Sequence, residues 1–275
     1  MKPSEQKKAL HAAVKAAHAA GALMLKNRHL PKKAHEVSQH DIKLELDVKC
    51  QQLIESKLRR AFPNVSVLGE EGESGDASAE RRWVIDPIDG TVNFAYAIPH
   101  ACVSIALQEK VQAPKSRAQA RHSITPDGYA TVLGVVYDPF VDELWTATQG
   151  GKAFLNGQVI AASRRARLDE AVVAMGFSKR TDTLTEMLPV LNRMIHRVRK
   201  VRIMGSAALA MTYVASGRND AYLEAGVRLW DIAAGGLILE CAGGEFFHQP
   251  VRGEYHAYRL VVNNGLLRKQ LQQLM

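Results

Sequence analysis

Between residues 4 and 28, Leu10, Val14, Ala17, Gly21 and Met24 recur at three- and four-residue steps, while Lys7, Lys8 and Lys15 fall elsewhere on the wheel. That spacing predicts a helix, ended by Pro31 and the polar stretch to His40. A second helix is predicted from about Glu45 to Phe62, with Cys50, Leu53, Ile54, Leu58 and Ala61 inward and Pro63-Asn64 as its stop. Short apolar runs predict strands at 65–69, 82–86, 101–107, 130–137 and 142–148. Residues 110–128 carry Lys, Arg, Gln, Pro and Gly without an apolar period and read as an exposed loop. Gly150-Gly151 and Asn156-Gly157 mark turns, the second a hairpin. Beyond them strands at 171–174, 200–203, 220–224 and 260–262 alternate with helices at 183–197, 206–216 and 231–242, before a closing helix. Ser206 and Asp231 are the expected N-caps. The pattern predicts an α+β half followed by an α/β half. The expectation is one domain over 1–275, with subdomains of about 1–148 and 149–275.

The chain is 47% apolar and 23% charged over 275 residues, an ordinary globular composition that excludes a disordered chain, a collagen or a disulfide scaffold. A net charge of +8 suits an anionic partner: a phosphorylated metabolite, a nucleic acid or an acidic surface. Cys50, Cys102 and Cys241 lie far apart in apolar stretches with no CxxC pair, so buried structural thiols in a reducing cytoplasm are expected. No apolar run is long enough for a membrane span. His11, Lys15 and His18 interrupt the Ala-rich N-terminal stretch, which therefore reads as a soluble helix rather than a signal peptide.

Candidate chemistry concentrates in Trp83-Val84-Ile85-Asp86-Pro87-Ile88-Asp89-Gly90-Thr91. An apolar strand runs into two acids. Pro87 holds Asp86 extended, and Gly90 permits a tight turn, so Asp86 and Asp89 are expected to face one small volume. Two carboxylates there repel unless a cation lies between them or one takes a proton. Oxygen-only ligands suit a hard ion such as Mg²⁺. Gly90-Thr91 is expected to open a short helix whose free N–H groups point at an anion. Metal ligands beside a phosphate cradle are what metal-assisted phosphate-ester hydrolysis needs. An Asp-rich turn that merely caps a helix is the plainer alternative. Gly69-Glu70-Glu71-Gly72 ends another strand and offers further ligands or a solvated turn. Asp231 offers a cap or a carboxylate from the second half, and Asp47 falls in the first turn of the second helix.

Together, Gly69-Glu70-Glu71, Trp83 to Phe94, Gly205 to Glu224 and Leu229 to Gly244 resemble the inositol monophosphatase family, within the lithium-sensitive Mg²⁺-dependent phosphatases that include fructose-1,6-bisphosphatases. The resemblance covers roughly residues 5–270 and implies an αβαβα layered sandwich, a homodimer and two to three Mg²⁺ ions. It implies Glu70, Asp86 and the Ile88 carbonyl as ligands of one ion and Asp86, Asp89 and Asp231 as ligands of a second. Glu70 would also help hold a third ion through water. Thr91 with Asp47 would orient and deprotonate the attacking water. Substrate contacts implied are Asp89, Gly90, Thr91, Ser206, Ala207, Glu224 and Asp231, with Glu224 on a substrate hydroxyl and Ser206-Ala207 beside the leaving alcohol. Glu71 would support the site rather than bind metal.

The segment Asp41 to Asp47 departs from the family pattern: Leu44 stands where Thr is common. Lys32, Lys33 and Glu36 stand where many members have a basic loop residue, and 111–128 looks like an insertion. The string after Gly90-Thr91 resembles the inositol-phosphate type. Fructose bisphosphate, histidinol phosphate and 3′-phosphoadenosine 5′-phosphate remain open. Three basic groups (Lys115 to Arg121, Arg164 to Arg167, Arg193 to Arg202) lack interleaved aromatics and read as solvated faces. One bacterial branch of the family is an RNA-polymerase-associated factor, so an RNA- or polymerase-binding accessory protein is the alternative of another class.

Overall fold

In the computed structural model, residues 1–30, 34–37, 42–76, 78–111, 125–178 and 181–275 are described. Helix α1 (Pro3–Asn27) has proline in its first turn, where a missing N–H costs nothing. Its buried stripe is Ala9, Ala12, Ala13, Ala16, Ala17, Ala20, Gly21 and Met24. Leu10 and Val14, expected inside, are only half-buried. Small residues win the inward face because α1 packs closely on the next helix and on a sheet, with Gly21 directly under the Tyr137 ring. Strands β1 (Ala34–Val37) and β2 (Ile42–Leu44) form an antiparallel ribbon that the apolar pattern missed. Helix α2 (Glu45–Ala61) buries Cys50, Ile54 and Leu58 as expected, but Leu53 and Ala61 only partly. Two polar residues, Asp47 and Gln51, take buried positions instead. Lys32, Lys33, Asp41 and residues 112–124 lie outside the described residues.

The strands that follow are β3 (Ser66–Gly69), β4 (Gly72–Ser74) and β5 (Arg81–Asp89). After the short helix α3 (Thr91–Ala95) come β6 (Cys102–Lys110), β7 (Tyr129–Asp138), β8 (Glu143–Thr148), β9 (Ala153–Leu155) and β10 (Gln158–Val159). They form one sheet in the order β10-β9-β8-β7-β6-β5-β3-β4, antiparallel except where β3 meets β5. Asn156 and Gly157 both have positive φ, as a two-residue hairpin turn of type I′ requires.

The remaining elements are β11 (Val172–Met175), α4 (Thr181–Ile195), β12 (Lys200–Arg202), α5 (Ala207–Ala215), β13 (Ala221–Arg228), α6 (Leu229–Cys241), β14 (Glu245–Pro250), β15 (Ala257–Asn263) and α7 (Arg268–Gln272). Their sheet runs β12-β11-β13-β15-β14, parallel on the β12-β11-β13 side and antiparallel on the other. Strand β14, with its partly exposed Glu-Phe-Phe-His-Gln-Pro, was not expected.

Three apolar clusters define the layering. One joins α1 and α2 to one face of the large sheet, through Trp83, Ile85, Ile105 and Leu107. The second joins that sheet's other face to α5, α6 and the small sheet. Helices apolar on all sides belong between two layers. The third joins α4 and α7 to the small sheet's outer face. The result is an αβαβα sandwich. Cys50 and Cys102 are buried as expected; Cys241 is only half-buried, its thiol directed at the Thr148 carbonyl 3.5 Å away. Among the described residues, no helix is long and apolar enough to cross a membrane.

Candidate active site

The site forms where the C-terminal end of β5 meets the starts of α5 and α6. Residues three apart on a regular strand face opposite ways. Asp86 pairs with Ser104 and Asp89 with Cys102, so three steps on β5 oppose two on β6. This bulge turns both acids to one side. Strand β5 therefore runs on through Asp89, where the sequence placed a turn after Asp86. Gly90 then takes φ 96° to start α3, a region closed to most side chains. The first-turn amides of α3 have no intrahelical acceptor and flank a cavity of about 880 Å³.

Carboxylate oxygens of Asp86, Asp89 and Asp231 all lie within 4.8 Å of one another. Glu70 lies within hydrogen-bonding reach of Asp86. These acids, with Ile88, Gly90, Thr91, Ser206, Ala207 and Glu224, line the cavity. Of the residues expected at the site, Asp47 is set back from that lining and reaches it through Thr91.

Asp86 and Asp231 each give one oxygen to the scaffold, and Asp89 gives both. Asp86 Oδ1 accepts from Ile88 N at 3.0 Å. Asp89 Oδ2 accepts from Ser206 Oγ at 2.5 Å and Ala208 N at 2.7 Å, and the Cys102 thiol points at it from 3.7 Å. Asp231 Oδ2 accepts from Arg228 N at 2.7 Å, and Asp47 Oδ2 from Leu44 N at 2.7 Å. Asp231 is thus the third residue of α6 bonding back to the cap position, not the N-cap itself. Asp47 plays the same part at the start of α2. Ser206 is the N-cap of α5, accepting from Leu209 N at 3.3 Å. Its hydroxyl proton and the Ala207 amide (3.3 Å from Asp89 Oδ1) serve Asp89, so both residues brace an acid as well as border the cavity.

Burial pushes the Asp86, Asp89 and Asp231 carboxyls upward, and repulsion from neighbouring acids adds to the rise for Asp86 and Asp231. Among the described residues no Lys or Arg pairs with these three. A hard divalent cation fits this oxygen-only, uncompensated donor set. Burial also pushes Asp47, 1% exposed, up to about 7, with Glu71 contributing. Thr91 Oγ donates to Ile88 O at 2.9 Å and stands 3.5 Å from Asp47 Oδ1.

Three participants escaped the sequence reading. Tyr222 donates to Glu224, whose carboxyl burial pushes up to about 7. Asn93 ties α3 to the segment before β6 through His100 O at 2.9 Å and to the loop before α5 through Met204 O at 2.7 Å. Gln51 grips the turn after Glu70. Tyr222 shares a strand face with Glu224, and Gln51 follows Asp47 by one helical turn; that periodicity was the available signal. Of the basic groups, Arg165 is engaged by Asp220, Arg167 by Asp169, and Arg193 by the Leu274 and Met275 carbonyls. Arg197, Arg199, Lys200 and Arg202 remain exposed, and 115–121 lies outside the described residues.

The layered αβαβα sandwich is the fold of the inositol monophosphatase and fructose-1,6-bisphosphatase type. The chain belongs to the inositol monophosphatase family, matching it over residues 5–114 and 127–275. It is 36% identical over 242 residues to Nus factor SuhB of Xylella fastidiosa, covering 87% of this chain and 81% of that one. It is 34% identical over 245 residues to inositol monophosphatase 1 of Solanum lycopersicum, covering 86% and 83%. The crystal structure of extragenic suppressor protein suhB from Bartonella henselae superposes with a TM-score of 0.83 at 30% identity, covering 97% of each chain.

Proposed function

We propose that the protein hydrolyses a small phosphate monoester, inositol 1-phosphate first among candidates, with Mg²⁺ held by Asp86, Asp89 and Asp231 together with Glu70 and the Ile88 carbonyl. The observation that carries this reading is the convergence of three carboxylates, two buried and one half-buried, from both halves of the chain on a cavity beside the start of α3. When bound, Mg²⁺ supplies Lewis-acid activation of water and neutralises developing charge on the phosphoryl oxygens. The amides of Gly90 and Thr91 orient the phosphate. Asp47, near neutrality in its pKa, accepts the proton of the attacking water by way of Thr91 Oγ. The water oxygen forms the new P–O bond as the P–O bond to the alcohol breaks, the leaving oxygen takes a proton from solvent, and Glu224 accepts a hydrogen bond from another hydroxyl of that alcohol. Phosphate release from inositol 1-phosphate, fructose 1,6-bisphosphate, 3′-phosphoadenosine 5′-phosphate and histidinol phosphate tests the reading. Mg²⁺-dependent, Li⁺-sensitive turnover of one of them is expected; absence of turnover with all four overturns it. The same reading takes the chain as a single cytoplasmic domain working as a homodimer; the molar mass from light scattering checks the dimer.

A second reading rests on a separate observation. Arg197, Arg199, Lys200 and Arg202 form an exposed run of cations, and relatives are named Nus factor. An RNA- or RNA-polymerase-binding role then predicts salt-dependent RNA binding that survives loss of the carboxylates; binding absent at low salt removes it.

A further inference from the structure

Glu70 sits on the turn between β3 and β4, and its own amide donates to Ile85 O on β5 at 3.1 Å. The next peptide is held from the other side. Gln51, on α2 one turn beyond Asp47, is 4% exposed. Its Oε1 accepts from Glu71 N at 2.9 Å, and its Nε2 donates to Gly72 O at 3.0 Å and to Glu55 Oε1 at 3.1 Å. The amide lies flat against Gly69, where any Cβ would collide with it. Gln51 itself is outside the cavity lining.

Both peptides flanking the Glu70 Cα are therefore pinned, one to the strand of Asp86 and one to the helix of Asp47. We propose that Gln51 is a positioning residue: by clamping the turn after Glu70 it fixes the Glu70 carboxylate toward Asp86 for cation binding. This rests on the reading of Glu70 and Asp86 as metal ligands. Groups that orient a metal ligand through hydrogen bonds commonly govern affinity about as strongly as 10–100-fold. The amide suits the task because the turn presents one donor and one acceptor, which a single carboxamide matches at once. Its neutrality also adds no further charge beside Asp47 and Glu71.

The test is Mn²⁺ binding to the metal-free full-length protein, followed by electron paramagnetic resonance, with melting in EDTA run on every variant. Gln51→Leu is expected to weaken Mn²⁺ binding about ten-fold or more. Gln51→Glu keeps the acceptor for Glu71 N–H but loses the donor to Gly72 O and Glu55 and adds a charge beside them, so it is expected to recover only part of that loss. Gly69→Ala, which displaces the amide without altering α2, is expected to weaken binding as Gln51→Leu does. It carries the test should Gln51→Leu fail to fold. A folded Gln51→Leu or Gly69→Ala protein with wild-type Mn²⁺ affinity overturns the proposal. Asp86→Asn is the control: lost binding there with normal binding in Gln51→Leu rejects Gln51 alone. Wild-type affinity in Asp86→Asn rejects the metal reading, and the proposal with it.

Discussion

Asp47→Asn separates what Asp47 does for the fold from what it does for the chemistry. Asparagine keeps an oxygen for Leu44 N, so the start of α2 retains its bond. It removes the titration. Burial raises the Asp47 carboxyl from an ordinary 3.8 to about 7. The folded protein therefore binds a proton that the unfolded chain has released, from just above the unfolded value up to the folded one. Stability falls as pH rises through that window, because the native state holds more protons. The shift of about three units corresponds to about 4 kcal/mol in full. Between about pH 5 and about pH 8 the variant gains about 3 kcal/mol on the wild type, since most of the window lies in that interval. Urea unfolding in EDTA at several pH values measures the gap, and the other acids cancel in the difference. The variant becomes relatively more stable while hydrolysis collapses. A gap that stays flat from about pH 5 to about pH 8 refutes the account of Asp47 as a buried acid poised near neutrality.

Asp86→Asn or Asp89→Asn should lower turnover by about a thousand-fold, about 4 kcal/mol of barrier, with the circular dichroism spectrum unchanged. Normal turnover in both variants rejects the site assignment. Glu224→Ala should cut kcat/KM about 10–100-fold for polyol phosphates and leave p-nitrophenyl phosphate, which has no hydroxyl to offer, unchanged. Mg²⁺ at about a hundred times its Kd should stabilise the wild type by about 2.7 kcal/mol, read as a rise in Tm that Asp86→Asn lacks.

Periodicity located most helices and strands here because burial follows it, yet it misjudged which residues face inward. On α1 it chose Leu10 and Val14, whereas packing against Tyr137 and α2 selects alanines. On α2 it passed over Asp47 and Gln51, because a polar residue can enter a core only when its partners are supplied from elsewhere in the chain. Apart from Glu55 on the same helix, the partners of Gln51 lie about twenty positions away, and no local pattern reveals those. Strands β1, β2 and β14 were missed for a similar reason: short pairs are held by a neighbour rather than by their own apolar alternation. The acids were legible because the stretch from Trp83 to Thr91 is dense in them. The bulge that turns Asp86 and Asp89 to one side was not, since it depends on the register with β6.

The four acids share a construction that explains how a charge cluster keeps its shape. Asp47 and Asp231 each bond the amide three residues earlier, Asp86 the amide two residues later, and Asp89 the start of α5. One oxygen of each is thereby a fixed part of the scaffold. The second oxygen of Asp86 and of Asp231 is left for the cluster in the cavity, that of Asp47 meets Thr91, and that of Asp89 also takes the Ala207 amide. Helix starts favour this arrangement, because their amides need acceptors and their dipoles favour negative charge. Local folding thus supplies part of the free energy that holds the acids together against repulsion, and a bound cation need supply only the remainder. It follows that amide substitutions at Asp47, Asp86 and Asp231, which keep the structural acceptor, remove the charge without loosening the elements that carry it, whereas at Asp89 the new NH2 must face one of the donors at the start of α5.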